Sequence, residues 1–518
     1  MSTTAVATTP RVDTKPVSQR EGLREKHAHA GVAMAVATLA MGATSGIQAL
    51  LYLSSFGVNA RTDGFFVAFA LYTSFGVFSQ SIRVSSAPML VGDRPRLTQR
   101  EFALALGAIA VPVGIATIPL AGPLAGLLAP GVGESGRSVA TSALPILGLA
   151  MILQLWAAGG ATVLAVRDRF DRIAGAYIAG ALSGLVVYLA VSGPAGELSL
   201  GWSMLAMAVV TSAAMLDGVR ASRDRGAMRT RPQPTRLLRC VWLVLGSTAV
   251  YLAFNGLYVI TLAFASNYGA GGATVLSYAY LFASYLVAGT GFALGMSRIA
   301  DMRRGALADW REVIADTVPA GFRYSMLIVS PALAALIAGG ATLVGEVLPK
   351  SFDPAQVDQL RVFGALLFAW TVAALLVNLL LPAMFALGRV KLVNALAPVL
   401  VAVHVGATAL GGALFGVNGV VGAFVVAPLC FAVTLLLAGA GSGSAAIARE
   451  LARDGLRFVL AAAACFGVGA LVGDAAGGGI ASPMLALGVG SVLYVALTPW
   501  LAPEQVRLLV GALRPASA

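Results

Sequence analysis

The chain has 518 residues, of which 58% are hydrophobic and 11% charged, with a mean hydropathy of +0.85. A water-soluble protein of this length needs a far more charged surface, so most of the exterior must face lipid. A formal charge of +12 would suggest nucleic acid in a soluble chain; here the basic residues lie in short loops between apolar runs, which reads as membrane topology, with no nucleic-acid partner.

The first 28 residues are polar and lack the apolar core of a cleavable signal, which predicts a disordered tail. Apolar runs then follow at 31–56, 64–90, 102–128, 138–166, 173–192 and 198–216. A basic stretch over 217–236 contains Arg-Thr-Arg-Pro-Gln-Pro and predicts a linker. Beyond it lie 237–266, 273–298, 320–346, 360–386, 391–413 and 418–439, then 456–473 and 482–500. Pro112, Pro119 and Pro123 interrupt the third run. No run alternates with period two, which excludes a β-barrel. The fold class is therefore all-α: a polytopic membrane protein of about 14 transmembrane helices. The predicted organisation is an N-terminal six-helix lobe (29–216), the linker, a C-terminal six-helix lobe (237–440), and two extra helices with a tail (441–518).

With the N-terminus in the cytoplasm, 30 of the 35 Lys and Arg residues fall on the cytoplasmic side. Only Arg61, Arg137, Lys350 and Arg361 fall opposite, and Arg83 lies inside a span. One missed helix would scramble that asymmetry, so the count supports both the segmentation and two cytoplasmic termini in a bacterial-type inner membrane.

The two lobes resemble one another. Ser54-Ser55-Phe56-Gly57 closes span one and Ser266-Asn267-Tyr268-Gly269 closes span seven. Each precedes a short loop and an aromatic-rich helix. Ala165-Val166-Arg167-Asp168 and Ala386-Leu387-Gly388-Arg389 leave spans four and ten. Six helices per lobe put the second lobe into the membrane in the same orientation, a parallel repeat of the kind whose halves rock about a central site.

Candidate site residues follow from the cost of polarity in lipid. Arg83 is the one strong cation within a span; it either holds an anionic head group or snorkels to the interface. Asp63 opens span two and either pairs with a cavity arginine or gates the outward side, or else caps its helix. Gln48, Gln80, Asn255 and Asn378 line a sugar-binding cavity or bond between helices. His404 sits mid-span and either carries a coupling proton or serves packing. Tyr280, with Tyr278, Tyr285 and Phe65, Phe66 and Phe69, offers aromatic faces for a sugar or for packing. The cysteines Cys240, Cys430 and Cys465 lie in apolar segments and read as packing residues. There is no phosphate-binding loop, metal cluster or nucleophile elbow, so neither a cofactor nor enzymatic chemistry is expected.

The stretch Phe56-Gly57-Val58-Asn59-Ala60-Arg61-Thr62-Asp63-Gly64-Phe65-Phe66-Val67-Ala68-Phe69, continuing to Phe78-Ser79-Gln80, resembles the MurJ/MviN branch of the multidrug/oligosaccharidyl-lipid/polysaccharide (MOP) exporter superfamily. Weaker echoes are Val163 to Phe170, Ala383 to Gly388 and Gly416 to Ala423. The resemblance implies a flippase of lipid-linked saccharides, typically the lipid II-like peptidoglycan precursor, with membrane lipids and cell-envelope synthesis proteins as partners. It also implies arginines in helices one and two and an Asp-Arg in helix eight; this chain has Gln48, Gly76, Val77, Leu281 and Phe282 there. Competing readings are a multidrug-type antiporter, a non-transporting scaffold for envelope synthesis, and a membrane glycosyltransferase or ligase using Glu346, Asp353 and Asp358.

Overall fold

A computed structural model describes residues 37, 40–90, 98–167, 169–221, 234–292, 310–348 and 351–506. Every regular element among them is helical, the state that satisfies each backbone group within its own segment in lipid. Helix α1 ends at residue 56. It is followed by α2 (Ala60–Leu90), α3 (Gln99–Ala116), α4 (Ala121–Leu128), α5 (Glu134–Val166), α6 (Phe170–Ala195) and α7 (Ser199–Ala221). The second half comprises α8 (Pro234–Ala265), α9 (Gly272–Val287), α10 (Trp310–Ala335), α11 (Ala341–Val347), α12 (Pro354–Ala386), α13 (Val390–Ala423) and α14 (Val426–Ala440). A hairpin of α15 (Ser444–Ala475) and α16 (Ala481–Leu501) completes the chain.

Each of the 14 predicted runs meets helix, but not every run is a simple rod. The third is α3 and α4 joined by a tight turn. Pro119 has no N–H to give Ile115, so Ile118 bonds to the Ile115 carbonyl and Ala121 to that of Ile118. The ninth is α10, a π-helical Leu336–Gly340 and α11; Gly339 lets this bend lie against the start of α16. Between runs eleven and twelve the chain turns at Gly416, at φ 61° and ψ −146°, a conformation that favours glycine. Cys240 and Cys465 are buried as expected, but Cys430 is exposed on α14.

The two halves share backbone details beyond the sequence echoes. Gly57 and Gly269, 212 positions apart, both have positive φ. Gly196 (φ 55°, ψ −137°) matches Gly416 at an interval of 220. The exit turn of α5, Arg169 N–H to Leu164 carbonyl, recurs after α12 as Arg389 N–H to Met384 carbonyl, each 3.0 Å. Packing repeats too: α5 lies on α2, α3 and α7, as α12 lies on α9, α10 and α14.

The α15–α16 hairpin packs on itself where Gly469 and Gly473 abut the Ala486 and Ser482 carbonyls. It is fastened to α10 by Arg323, whose Nε donates to Asp454 and Nη2 to Glu450, both at 2.5 Å. Asp454 is buried, and removing its cation strands a carboxylate. Arg323→Gln is expected to lower the thermal unfolding midpoint by several degrees, corresponding to about 1–3 kcal/mol. Thermal scanning in detergent checks this, and Lys391→Gln, at an interval away from the cluster, is expected to leave the midpoint in place.

Candidate functional site: the seam between the two halves

The end of the bundle that carries the 57–59 turn is called the upper end below. There α2 begins with Asn59, whose Oδ1 accepts from the N–H groups of Arg61 (2.8 Å) and Thr62 (3.2 Å). Asn59 therefore caps α2 by itself. The next carboxylate, Asp63, is free to turn elsewhere, and it crosses the seam.

The equivalent start of α9 has no capping side chain: Gly271 stands at the cap position with φ 90°. Asp63 supplies the missing cap. Its Oδ2 accepts from Gly271 N–H at 2.5 Å, and its Oδ1 accepts from Thr274 N–H at 2.7 Å and Thr274 Oγ1 at 2.6 Å. The carboxylate is 1% exposed. An anion at a helix N-terminus is favoured by the exposed N–H groups and the helix dipole together. Asp63 was expected to cap its own helix, to meet a cavity arginine or to gate the outward side; its carboxylate caps the neighbouring half's helix, because Asn59 already serves α2. Thr62 Oγ1 and Thr274 Oγ1 touch at 3.2 Å. These two residues are 212 apart, the interval of the repeat, so they meet where the two halves are related.

Other upper contacts need small residues. Gly131, after α4, presses on the Ser266–Asn267 backbone, and Gly271 accepts the side chain of Val58 beside it. Below them Tyr278 donates to the Ala49 carbonyl at 3.0 Å and packs edge-on against Phe66. Ser74 on α2 donates to the Asn255 carbonyl on α8 at 3.1 Å. Further down, Ile82, Phe102 and Leu106 pack with Cys240 and Val244 in an apolar cluster, edged by a 3.8 Å approach of Arg236 to Glu101. The seam is thus polar and latched at the upper end and apolar at the lower end, among the described residues.

Among the described residues, the predicted site residues are not brought to one place. Gln48 is buried and donates to Ser203 Oγ at 3.0 Å, a bond between α1 and α7. Asn255 and Asn378 donate to carbonyls one turn back, Tyr251 and Ala374, at 2.8 Å each. Tyr280 stacks on Tyr258 with ring centres 3.7 Å apart, in a cluster with Trp370 and Phe424. His404 lies beside that cluster, bonded to α8. The side chains of Gln80 and Arg83 lie outside the described residues, as do the 1–28 tail and the 222–233 part of the linker. Two of the three acidic residues offered for a ligase are taken up structurally: Asp353 caps α12 and Asp358 pairs with Arg361 at 3.0 Å.

Sequence reasoning missed Gly271, Thr274 and Gly131. The signal was present in the repeat: shifting the second half by 212 sets Thr274 on Thr62 and a bare glycine on the capping Asn59. Phe56, Asn59, Phe352 and Gln356 also line a surface recess of about 350 Å³ at this end.

No family model and no curated protein matches the sequence. Solved structures do match in shape. A structure titled lipid II flippase MurJ in an inward closed conformation is 13% identical, with a TM-score of 0.67, covering 92% of this chain and 99% of that one. An inward-facing multidrug resistance MATE family transporter of the MOP superfamily is 15% identical, with a TM-score of 0.63, covering 80% of this chain and 99% of that one. A MOP superfamily transporter from Pyrococcus furiosus is 16% identical, with a TM-score of 0.58, covering 81% of this chain and 96% of that one. The chain shares the fold of these structures, a multi-pass all-helical architecture.

Proposed function

We propose that this chain, built on the MOP transporter fold, is a flippase that moves a lipid-linked saccharide across the cytoplasmic membrane by alternating access of two lobes, 29–216 and 237–440. The observation that carries this reading is the cap of α9 by Asp63. It joins the lobes at the upper end, and it can break without unfolding either lobe, since its bonds are separate from the backbone ladders of the helices. By the asymmetry of Lys and Arg, that latched end faces outward. The conformation is accordingly closed to the outside.

The substrate class is argued from the extra hairpin. That hairpin, α15 and α16, lies beyond the two six-helix lobes. A drug antiporter has no need of such a hairpin, whereas a prenyl chain needs an apolar flank outside the lobes. A mid-membrane carboxylate of the kind antiporters use is also missing from the spans. Arg83, a single cation within a span, would meet the diphosphate on the inner side. An ion gradient or the membrane potential supplies any net drive.

A depletion-and-rescue assay of lipid-linked precursor translocation tests the reading. Wild type is expected to restore translocation, and Arg83→Ala to reduce it by about tenfold or more, the loss of one charge-assisted contact. Failure of the wild type to restore it would remove the substrate class and leave the multidrug antiporter as the reading to pursue.

A further inference from the structure

His404 is fully buried in α13, about 20 Å along that helix from its start at 1.5 Å per residue, and so deep in the bilayer. Its Nε2 lies 2.9 Å from Thr261 Oγ1 and 3.0 Å from the Leu257 carbonyl on α8, and 3.5 Å from Thr408 Oγ1 on its own helix. The Thr261 hydroxyl already donates to the same Leu257 carbonyl at 2.9 Å. A carbonyl oxygen only accepts, so Nε2 must carry the proton and donate to it. The neutral ring then has its lone pair on Nδ1, and Nδ1 is buried with no hydrogen-bond partner among the described residues.

An orphaned basic nitrogen in a buried site is costly, and native folds keep few of them. No anionic group pairs with it among the described residues. The groups facing it are Thr261 and Leu257 from α8, Thr408 from α13, and Phe424, whose ring centre is 5.4 Å away. Tyr280 on α9 touches Phe424 and stacks on Tyr258 of α8. Among the described residues no carboxylate, lysine or arginine pairs with the imidazole.

Helix α8 is also the element that bridges the molecule. One side packs on α2 and α3 across the seam and the other on α13. We infer that His404 is a proton-binding site coupled to the seam: Nδ1 takes a proton from water when α8 parts from α13, and returns it when the two helices close again. The inference rests on the alternating-access reading. A proton bound without a counter-ion favours the arrangement that admits water, so proton uptake favours the open upper seam.

The full chain is well suited to the test, because its two other histidines, His27 and His29, lie in the tail and can be replaced by glutamine. Nitrogen-15 NMR of the remaining histidine in nanodiscs reports its proton, and spin labels at 61 and 268 report the seam. At about pH 8 the ring is expected to be neutral and protonated at Nε2. Toward about pH 5.5 the imidazolium should appear in step with an about tenfold rise in the open population. His404→Gln keeps a donor toward Leu257 but cannot titrate, and its seam should move less than twofold, roughly. The Asp63→Ala background, which removes the only other titratable group of the latch, should retain the imidazolium signal. A neutral ring at about pH 5.5 in that background, or a His404→Gln seam that responds as wild type does, overturns the inference. Neither readout uses the substrate, so a wrong substrate class would leave the result intact.

Discussion

Asp63→Ala is expected to shift the protein toward an open upper seam without unfolding either half. The substitution removes one carboxylate that accepts three hydrogen bonds, two from backbone N–H groups and one from a hydroxyl. Bonds to a charged acceptor are worth about 1.5–3 kcal/mol each, and water regains part of that once the seam opens. A net bias of about 2–4 kcal/mol follows, which changes the ratio of closed to open by about 30- to 1000-fold. Spin labels at 61 and 268, both exposed positions, read this as a lengthened distance in a background free of Cys240, Cys430 and Cys465. Asp63→Asn keeps an acceptor and loses the charge, so its effect should lie between wild type and alanine. Thr274→Val removes one donor and should cost about 1 kcal/mol. The thermal midpoint should change little across the series, because α2 retains Asn59 as its own cap. An Asp63→Ala seam that stays at the wild-type distance would mean that packing alone closes this end.

Much of this architecture could be read from residues. Apolar runs locate helices because lipid offers the backbone no other partner. Runs eleven and twelve were divided between 413 and 418, and the chain turns at Gly416 within that interval. The broken third run was visible in its prolines, but not where the break would fall. Asp63 shows the limit. Composition marks it as a carboxylate at a helix start, and local rules then assign it to the helix it begins. What reassigns it is Asn59, which takes that role first, and Gly271, 212 residues on, which leaves a vacancy. The second fact is not local. Gln48 and Asn255 show the same limit from the other side: a polar residue within a span looks alike whether it lines a cavity or bonds to Ser203 or its own helix.

Gly131→Val separates closing the seam from folding the halves. A Cβ at 131 would overlap the Ser266 carbonyl and the Asn267 backbone, atoms that no rotamer change can move. Those residues belong to the other half, so the clash is relieved when the halves part. Gly136 looks similar in sequence, yet a Cβ there would strike the Ala60 carbonyl of α2 within the same half. Overpacking of either kind costs about 1–3 kcal/mol. At 136 the cost falls on the folded lobe, and Gly136→Val should lower the thermal midpoint and the yield of folded protein. At 131 it falls on the closed conformation, and the label distance should lengthen with the midpoint nearly unchanged. Gly133, which has open space around its Cβ position, is the control for backbone stiffening. Because Gly131→Val and Asp63→Ala both act on the closed state, their combination should open the seam by less than the two shifts added together. Full additivity would show that the loop after α4 and the cap of α9 open separately, and that the upper end is two gates in place of one.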